Sequence, residues 1–150
     1  MKITIEIDEN CIEDEVIIRC RELNESVSRI NKLIADASKK DRKMTLYKSE
    51  KEFYIDISEI LFFESDSDCV RAHTQDDMFT VKYKLYELEN ILPSEFCRIS
   101  KSTIVNALKI YSITRNITAS SLVEFEGTNK KVYASRSYYK NLKNILSEKR

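Results

Sequence analysis

The chain has one glycine, one proline, one histidine and no tryptophan in 150 residues. A single glycine rules out a Walker loop and a G-x-G-x-x-G turn, which both need several glycines for close backbone approach to phosphate. No C-x-x-C pair occurs among the four cysteines (11, 20, 69 and 97), and His73 is the sole histidine, which argues against a structural zinc site. No apolar run approaches membrane-spanning length. The opening MKITIEIDEN lacks the apolar core of a signal peptide. These features read as a reducing, cytoplasmic setting, with cysteines packed as small hydrophobes in VIIRC and EFCRI. Net charge is lacking too, with 25 cations against 25 carboxylates, which argues against a histone-like grip on any polyanion while leaving room for a local basic face.

The charge that is present is unevenly placed. Residues 1–95 hold 14 Lys/Arg and 22 Asp/Glu, whereas residues 96–150 hold 11 and 3. Such a split places an electrostatic footprint in the last third.

With so little glycine and proline, turns fall to Asn, Asp, Ser and Lys clusters. KITIEI (2–7) and EVIIRC (15–20) alternate and read as strands. Asn24 is an N-cap for a helix whose Val27, Ile30, Leu33, Ile34 and Ala37 form one stripe, packed on those strands or on a partner. SKKDRK (38–43) is the linker between a strand–strand–helix extension (1–43) and a main domain (44–150). Short alternating runs follow: MTLY, EFYIDI, EILFFE, CVRAHT and MFTVKY, which predict antiparallel hairpins. KLYELENIL switches to helical period, with Leu85, Leu88, Ile91 and Leu92 on one face and Pro93 as its stop. FCRIS, IYSITRN, SLVEFE and KVYA are further strands, with Gly127 in a hairpin turn. A final helix starts at Ser135 with Tyr138, Leu142, Ile145 and Leu146 as its stripe. The fold class is mainly β, α+β, with short helices.

Catalytic chemistry finds little support. Cys69 and His73 would share a strand face but sit far apart along it, without an orienting third group. No small-molecule substrate and no cofactor is expected. Nucleic-acid contact is better supported, because three polar loops follow strand-like runs. The first offers Asp66, Asp68, Cys69 and Arg71; the second Arg98, Ser100, Lys101 and Ser102; the third Arg136, Ser137, Tyr139 and Lys140. Arg and Lys reach phosphates or guanine edges, and serine hydroxyls hold phosphate oxygens. Serines at a helix start also direct unpaired N–H groups at an anion.

Read in order, these stretches resemble the LytTR family of bacterial DNA-binding domains, from about Met44 to Leu146. The residues that carry the resemblance are Ile60, Phe62 and Glu64; Leu85, Leu88 and Leu92; Phe96, Arg98, Ser102, Val105 and Asn106; then Ser135, Arg136 and Tyr138. The resemblance implies an elongated antiparallel β fold that binds duplex DNA through loops in successive major grooves. It further implies paired copies on direct repeats, that is, a homodimer regulating transcription. Lys101 is then the best base-edge reader, and Lys140 lies near the DNA backbone. Relatives often have His or an aromatic at the position of Cys69 and His at that of Ser100, and the first loop here is acidic. Asp66 and Asp68 oppose phosphate but can accept from cytosine N4. Asn106 is expected to satisfy backbone groups rather than touch DNA.

Residues 1–43 are too short for a receiver domain, so the chain resembles the stand-alone regulators of this family, often encoded beside a membrane protein that restrains them. Residues 1–37 are expected to mediate self-association, because the helix stripe exceeds what so small a unit can bury. Two other readings stand beside this one. One is an interaction module of the same fold that titrates a partner without DNA. The other is an RNA binder stacking bases on Phe62, Phe63 or Tyr83.

Overall fold

A computed structural model describes residues 1–38 and 42–149. Helix α1 (Glu25–Ala37) precedes five strands: β1 (Lys43–Lys48), β2 (Lys51–Asp56), β3 (Phe62–Ser65), β4 (Val70–His73) and β5 (Met78–Val81). Helix α2 (Leu85–Ile91) leads to β6 (Phe96–Arg98) and β7 (Thr103–Asn106). Then come β8 (Ile110–Thr114), β9 (Ser121–Phe125), β10 (Lys131–Ala134) and α3 (Arg136–Lys149). Every strand pair is antiparallel. One sheet runs β2-β1-β5-β4-β3-β7-β6, the other β10-β9-β8.

The expected strands at 2–7 and 15–20 are absent: residues 1–24 carry neither helix nor ladder and lie exposed. Alternation gives a strand its two faces, but a strand exists only when a partner takes its backbone hydrogen bonds. The helix of the extension does form, and the Asn24 side chain accepts from Val27 N at 3.0 Å. It packs on α2 rather than on the first strands. Asn31 Nδ2 donates to the Asn90 carbonyl at 2.9 Å, Ser94 donates to Asp36, and Arg42 spans the Ala35 carbonyl and Glu95, both at 2.7 Å. Leu33, placed in the apolar stripe by its spacing, stays exposed. Of the expected linker 38–43, residues 39–41 lie outside the described residues.

The central strands face two cores. Phe63, Ile104 and Phe96 point toward α2, among Ile60, Leu85, Leu88 and Leu92. Their neighbours Phe62, Val105 and Cys97 point toward the second sheet and α3, among Ile99, Val123, Phe125 and Leu142. All four residues of β7 are buried in consequence. Ile91 departs from its predicted face and is exposed, since α2 is only two turns long and ends at Leu92 before Pro93. Gly127 makes its turn at φ +74, and Gln75 Nε2 donates to its carbonyl at 2.8 Å. Burial also pushes the Cys97 thiol up to about 12. Cys20 and Cys11, by contrast, are exposed, which corrects the reading of VIIRC as a packed site. No helix among the described residues is long and apolar enough to cross a membrane.

His73 sits in the middle of this packing. Its ring stacks on Phe62 at 4.3 Å, and its Nδ1 is buried with no hydrogen-bond partner among the described residues. Burial, reinforced by Lys130 and Arg71, lowers its pKa from 6.5 to about 4. The Glu64 carboxylate, 3.8 Å from Nε2, favours the protonated form, but it is half exposed and burial outweighs it. Between pH 6.5 and 4 the unfolded chain takes up a proton that the folded chain resists, so stability falls with pH through that window. We expect a loss of about 2 kcal/mol from pH 7 to pH 4.5 after allowing for solvent screening. Urea midpoints of the native chain and of His73→Leu at both pH values check this. The native chain should lose more stability than the variant by that amount.

Candidate nucleic-acid interface

The three loops singled out from sequence converge. The first (66–69) joins β3 to β4, the second (99–102) joins β6 to β7, and the third (135–137) opens α3. Backbone hydrogen bonds tie the second to the end of β3, where the first begins, and to the third. Ser65 N donates to the Ser102 carbonyl at 2.8 Å, and Ser135 N donates to the Ile99 carbonyl at 2.7 Å. Antiparallel pairing of β3 with both β4 and β7 puts these connections at one end of the sheet.

In the first loop, Asp66 is used internally. Its carboxylate accepts from Asp68 N at 3.1 Å and Cys69 N at 3.2 Å, and it pairs with Arg71. Those two backbone donors, then Arg71, hold its carboxyl below the usual range. The loop is therefore less repellent to phosphate than its composition implies, because one of its two carboxylates already has a cation. Asp68 is exposed, and Cys69 is half-buried with its Sγ 3.9 Å from Asp66. No hydrogen bond or ion pair joins Cys69 to His73 among the described residues.

Arg98 turns inward. Its Nε donates to the Ser100 carbonyl at 2.8 Å and its Nη1 to Glu89 at 2.9 Å, while Nη2 donates to the Lys101 carbonyl. A fork that grips two consecutive loop carbonyls and a carboxylate fixes the loop's shape. Within it, Ser102 N donates to Ser100 Oγ at 3.2 Å. Lys101 at the tip is exposed, and its ammonium makes no hydrogen bond or ion pair among the described residues.

At the third loop, the Ser135 carbonyl accepts from Tyr139 N at 3.0 Å, which makes Ser135 the N-cap position of α3. Its hydroxyl lies 3.2 Å from that of Ser137. Arg136 and Lys140 are exposed, with side chains that form no hydrogen bond or ion pair among the described residues. Tyr139 is half-buried, its ring covered by the Arg115 guanidinium at 5.0 Å. Arg115 escaped the reading of the sequence. So did Lys82 and Lys84, which with Tyr83, the first loop, Arg98 and Lys101 line a cleft of about 500 Å³. A cation–aromatic–cation run between a strand and a helix, KYK, was the available signal.

Phe62 and Phe63 are both buried in the cores, so neither can stack on a base. Asn106 is buried as well; its Nδ2 donates to the Ile60 carbonyl and its Oδ1 accepts from Leu108 N, each at 3.1 Å. Its motif position is therefore a fold position.

Comparison with known proteins agrees with this geometry. The profile of the LytTr DNA-binding domain matches residues 50–147. An uncharacterized HTH-type transcriptional regulator of Staphylococcus aureus strain NCTC 8325 is 32% identical over 147 residues, covering 98% of this chain and 99% of its own. A relative from strain N315 with the same description has the same identity and coverage. Despite that description, no two of the three α-helices are consecutive in the chain, so no helix-turn-helix is present among the described residues. The solved LytTr DNA-binding domain of a Bacillus cereus methyl-accepting/DNA response regulator superposes with a TM-score of 0.65 at 24% identity, covering 70% of this chain and 96% of that one. The matched span, the relatives that cover nearly the whole chain and the antiparallel fold together make this chain a member of the LytTR family of DNA-binding domains.

Proposed function

We propose that this protein is a transcription regulator that reads duplex DNA through its three joined loops, as paired copies on direct repeats. One observation carries the reading: the Ser65–Ser102 and Ile99–Ser135 backbone bonds bring together the three connections, with Lys101 at the tip of the second and Arg136 and Lys140 in the first turns of α3, all exposed and unpaired among the described residues. Loops joined in this way present their cations at fixed spacing, so little ordering entropy is lost on binding. Lys101 and Arg136 read base edges in the major groove. Lys140, Ser137 and the hydroxyls of Ser100 and Ser102 hold phosphates, which set register and orientation. Arg98, already occupied, shapes the second loop rather than touching DNA. Asp68 is the acidic reader of the first loop, accepting from a cytosine N4.

Selection of binding sites from a random duplex pool tests this, followed by anisotropy on the selected site at two salt concentrations. We expect a direct repeat spaced by a helical turn and affinity that falls steeply with salt. A folded protein that enriches no sequence would favour the interaction-module reading instead.

A further inference from the structure

Residues 1–24 expose a run of large apolar side chains. Ile3, Ile5 and Ile7 are 85%, 86% and 92% exposed, Val16 and Ile17 are exposed as well, and Ile18 is partly so. Residues 1–24 form no helix or ladder, and α1 is already occupied by α2. Exposed apolar runs of this kind mark a protein contact.

We infer that the partner is a second copy of this chain, and that residues 1–7 and 15–21 each pair antiparallel with their own counterparts in that copy. The charge pattern carries this. A strand paired with itself about Thr4 sets Lys2 opposite Glu6 twice, with Ile3 opposite Ile5 and Met1 opposite Ile7. One face of that ribbon, Met1, Ile3, Ile5 and Ile7, is wholly apolar. A strand paired with itself about Ile18 sets Glu15 opposite Arg21 twice and Val16 opposite Cys20. Its face of Val16, Ile18 and Cys20 is apolar in turn. Opposite charges across an antiparallel pair stabilise it, and like charges oppose it. The first segment is thus self-complementary on both faces; the second is so on its apolar face and at Glu15–Arg21, with Ile17 opposite Arg19 on the other face, and the two apolar faces can cover one another.

The competing arrangement is a hairpin within one chain. Matching the apolar faces there puts Ile3, Ile5 and Ile7 against Cys20, Ile18 and Val16. It then sets Lys2 against Arg21, a like-charge pair that self-pairing replaces with Lys2–Glu6 and Glu15–Arg21. The structure leaves the two segments unpaired in the single chain. Glu22, Leu23 and Asn24, outside any helix or strand, connect this segment to α1. A bend there reconciles a two-fold contact between N-terminal segments with domains lying head to tail on a direct repeat. The inference deepens the paired-copies reading above and gives it a contact.

Cysteine cross-linking of the full chain tests it, without DNA, so that a failure to bind DNA does not affect the outcome. The background carries Cys11→Ser, Cys20→Val and Cys69→Ser. Thr4→Cys and Ile18→Cys each lie opposite themselves, and each should give a disulfide dimer on mild oxidation. Lys2→Cys and Glu15→Cys, displaced from their own copies by about 13 and 20 Å along the strands, should not. Sedimentation equilibrium supplies a second readout: Arg21→Glu should weaken the dimer at least tenfold, and Glu15→Arg with Arg21→Glu should restore it. A chain monomeric at all concentrations, or one that cross-links equally at all four positions, overturns the inference.

Discussion

Arg136→Ala should weaken operator binding by about 1–3 kcal/mol, roughly 5- to 150-fold. The guanidinium stands at the first position of α3, exposed and without a partner among the described residues, beside the Ser135 junction with the second loop. Removing it leaves no buried group stranded, so thermal stability should change by less than about 0.5 kcal/mol. The loss should be confined to the cognate site, with discrimination relaxed at one base pair. Lys140→Ala should behave differently, weakening all sequences alike and reducing the salt slope by about 1. Anisotropy on cognate and scrambled duplexes at two salt concentrations separates the two. Unchanged operator affinity in the double variant would remove DNA reading from this end of the molecule.

Asn106→Leu should destabilise the fold by about 2–4 kcal/mol while leaving DNA affinity intact at temperatures where the variant is folded. Leucine preserves the volume but strands the Ile60 carbonyl and the Leu108 N–H, both now satisfied by the amide. Asn106 is 2% exposed and its bond to the Ile60 carbonyl is buried, so water cannot replace that bond. At about 2–4 °C per kcal/mol for a chain of this size, the midpoint should fall by roughly 5–15 °C. Asn106 ends β7 at the opposite end from the second loop, which enters at Thr103. Lost operator affinity with unchanged stability would instead make it a DNA contact.

These two residues also show how far a sequence can be read. Both belong to the motifs that carry the family resemblance, and the motif does not say which one faces DNA. Asn106 was legible as a fold residue because an amide beside apolar neighbours is expected to satisfy backbone groups. Arg98 was not legible. A cation among serines reads as a phosphate contact, and only the fold brings Glu89 and the Ser100 and Lys101 carbonyls to its guanidinium. The strands from Met44 to Tyr83 were legible because each alternation is bounded by a polar turn and has its partner next in sequence or nearby. Residues 2–7 and 15–20 alternate as well, yet form no ladder, since alternation carries no information about which chain supplies the partner. Contacts between distant segments, such as Arg115 on Tyr139, leave no local pattern at all.

The strands that divide their side chains between two cores have a consequence for how the molecule opens. Phe62 and Phe63, Ile104 and Val105, Phe96 and Cys97 send neighbouring side chains into opposite layers. Neither layer can melt while the other stays folded, because the same backbone supports both. The two sheets and their helices therefore unfold as one cooperative unit, and amides in β3 and β7 exchange with solvent only through global opening. The loops from Asp66 and from Ser100 are rooted in those same strands. Sites that recognise ligands usually belong to the most weakly held parts of a protein; the loops proposed to read DNA are anchored to the most strongly protected part.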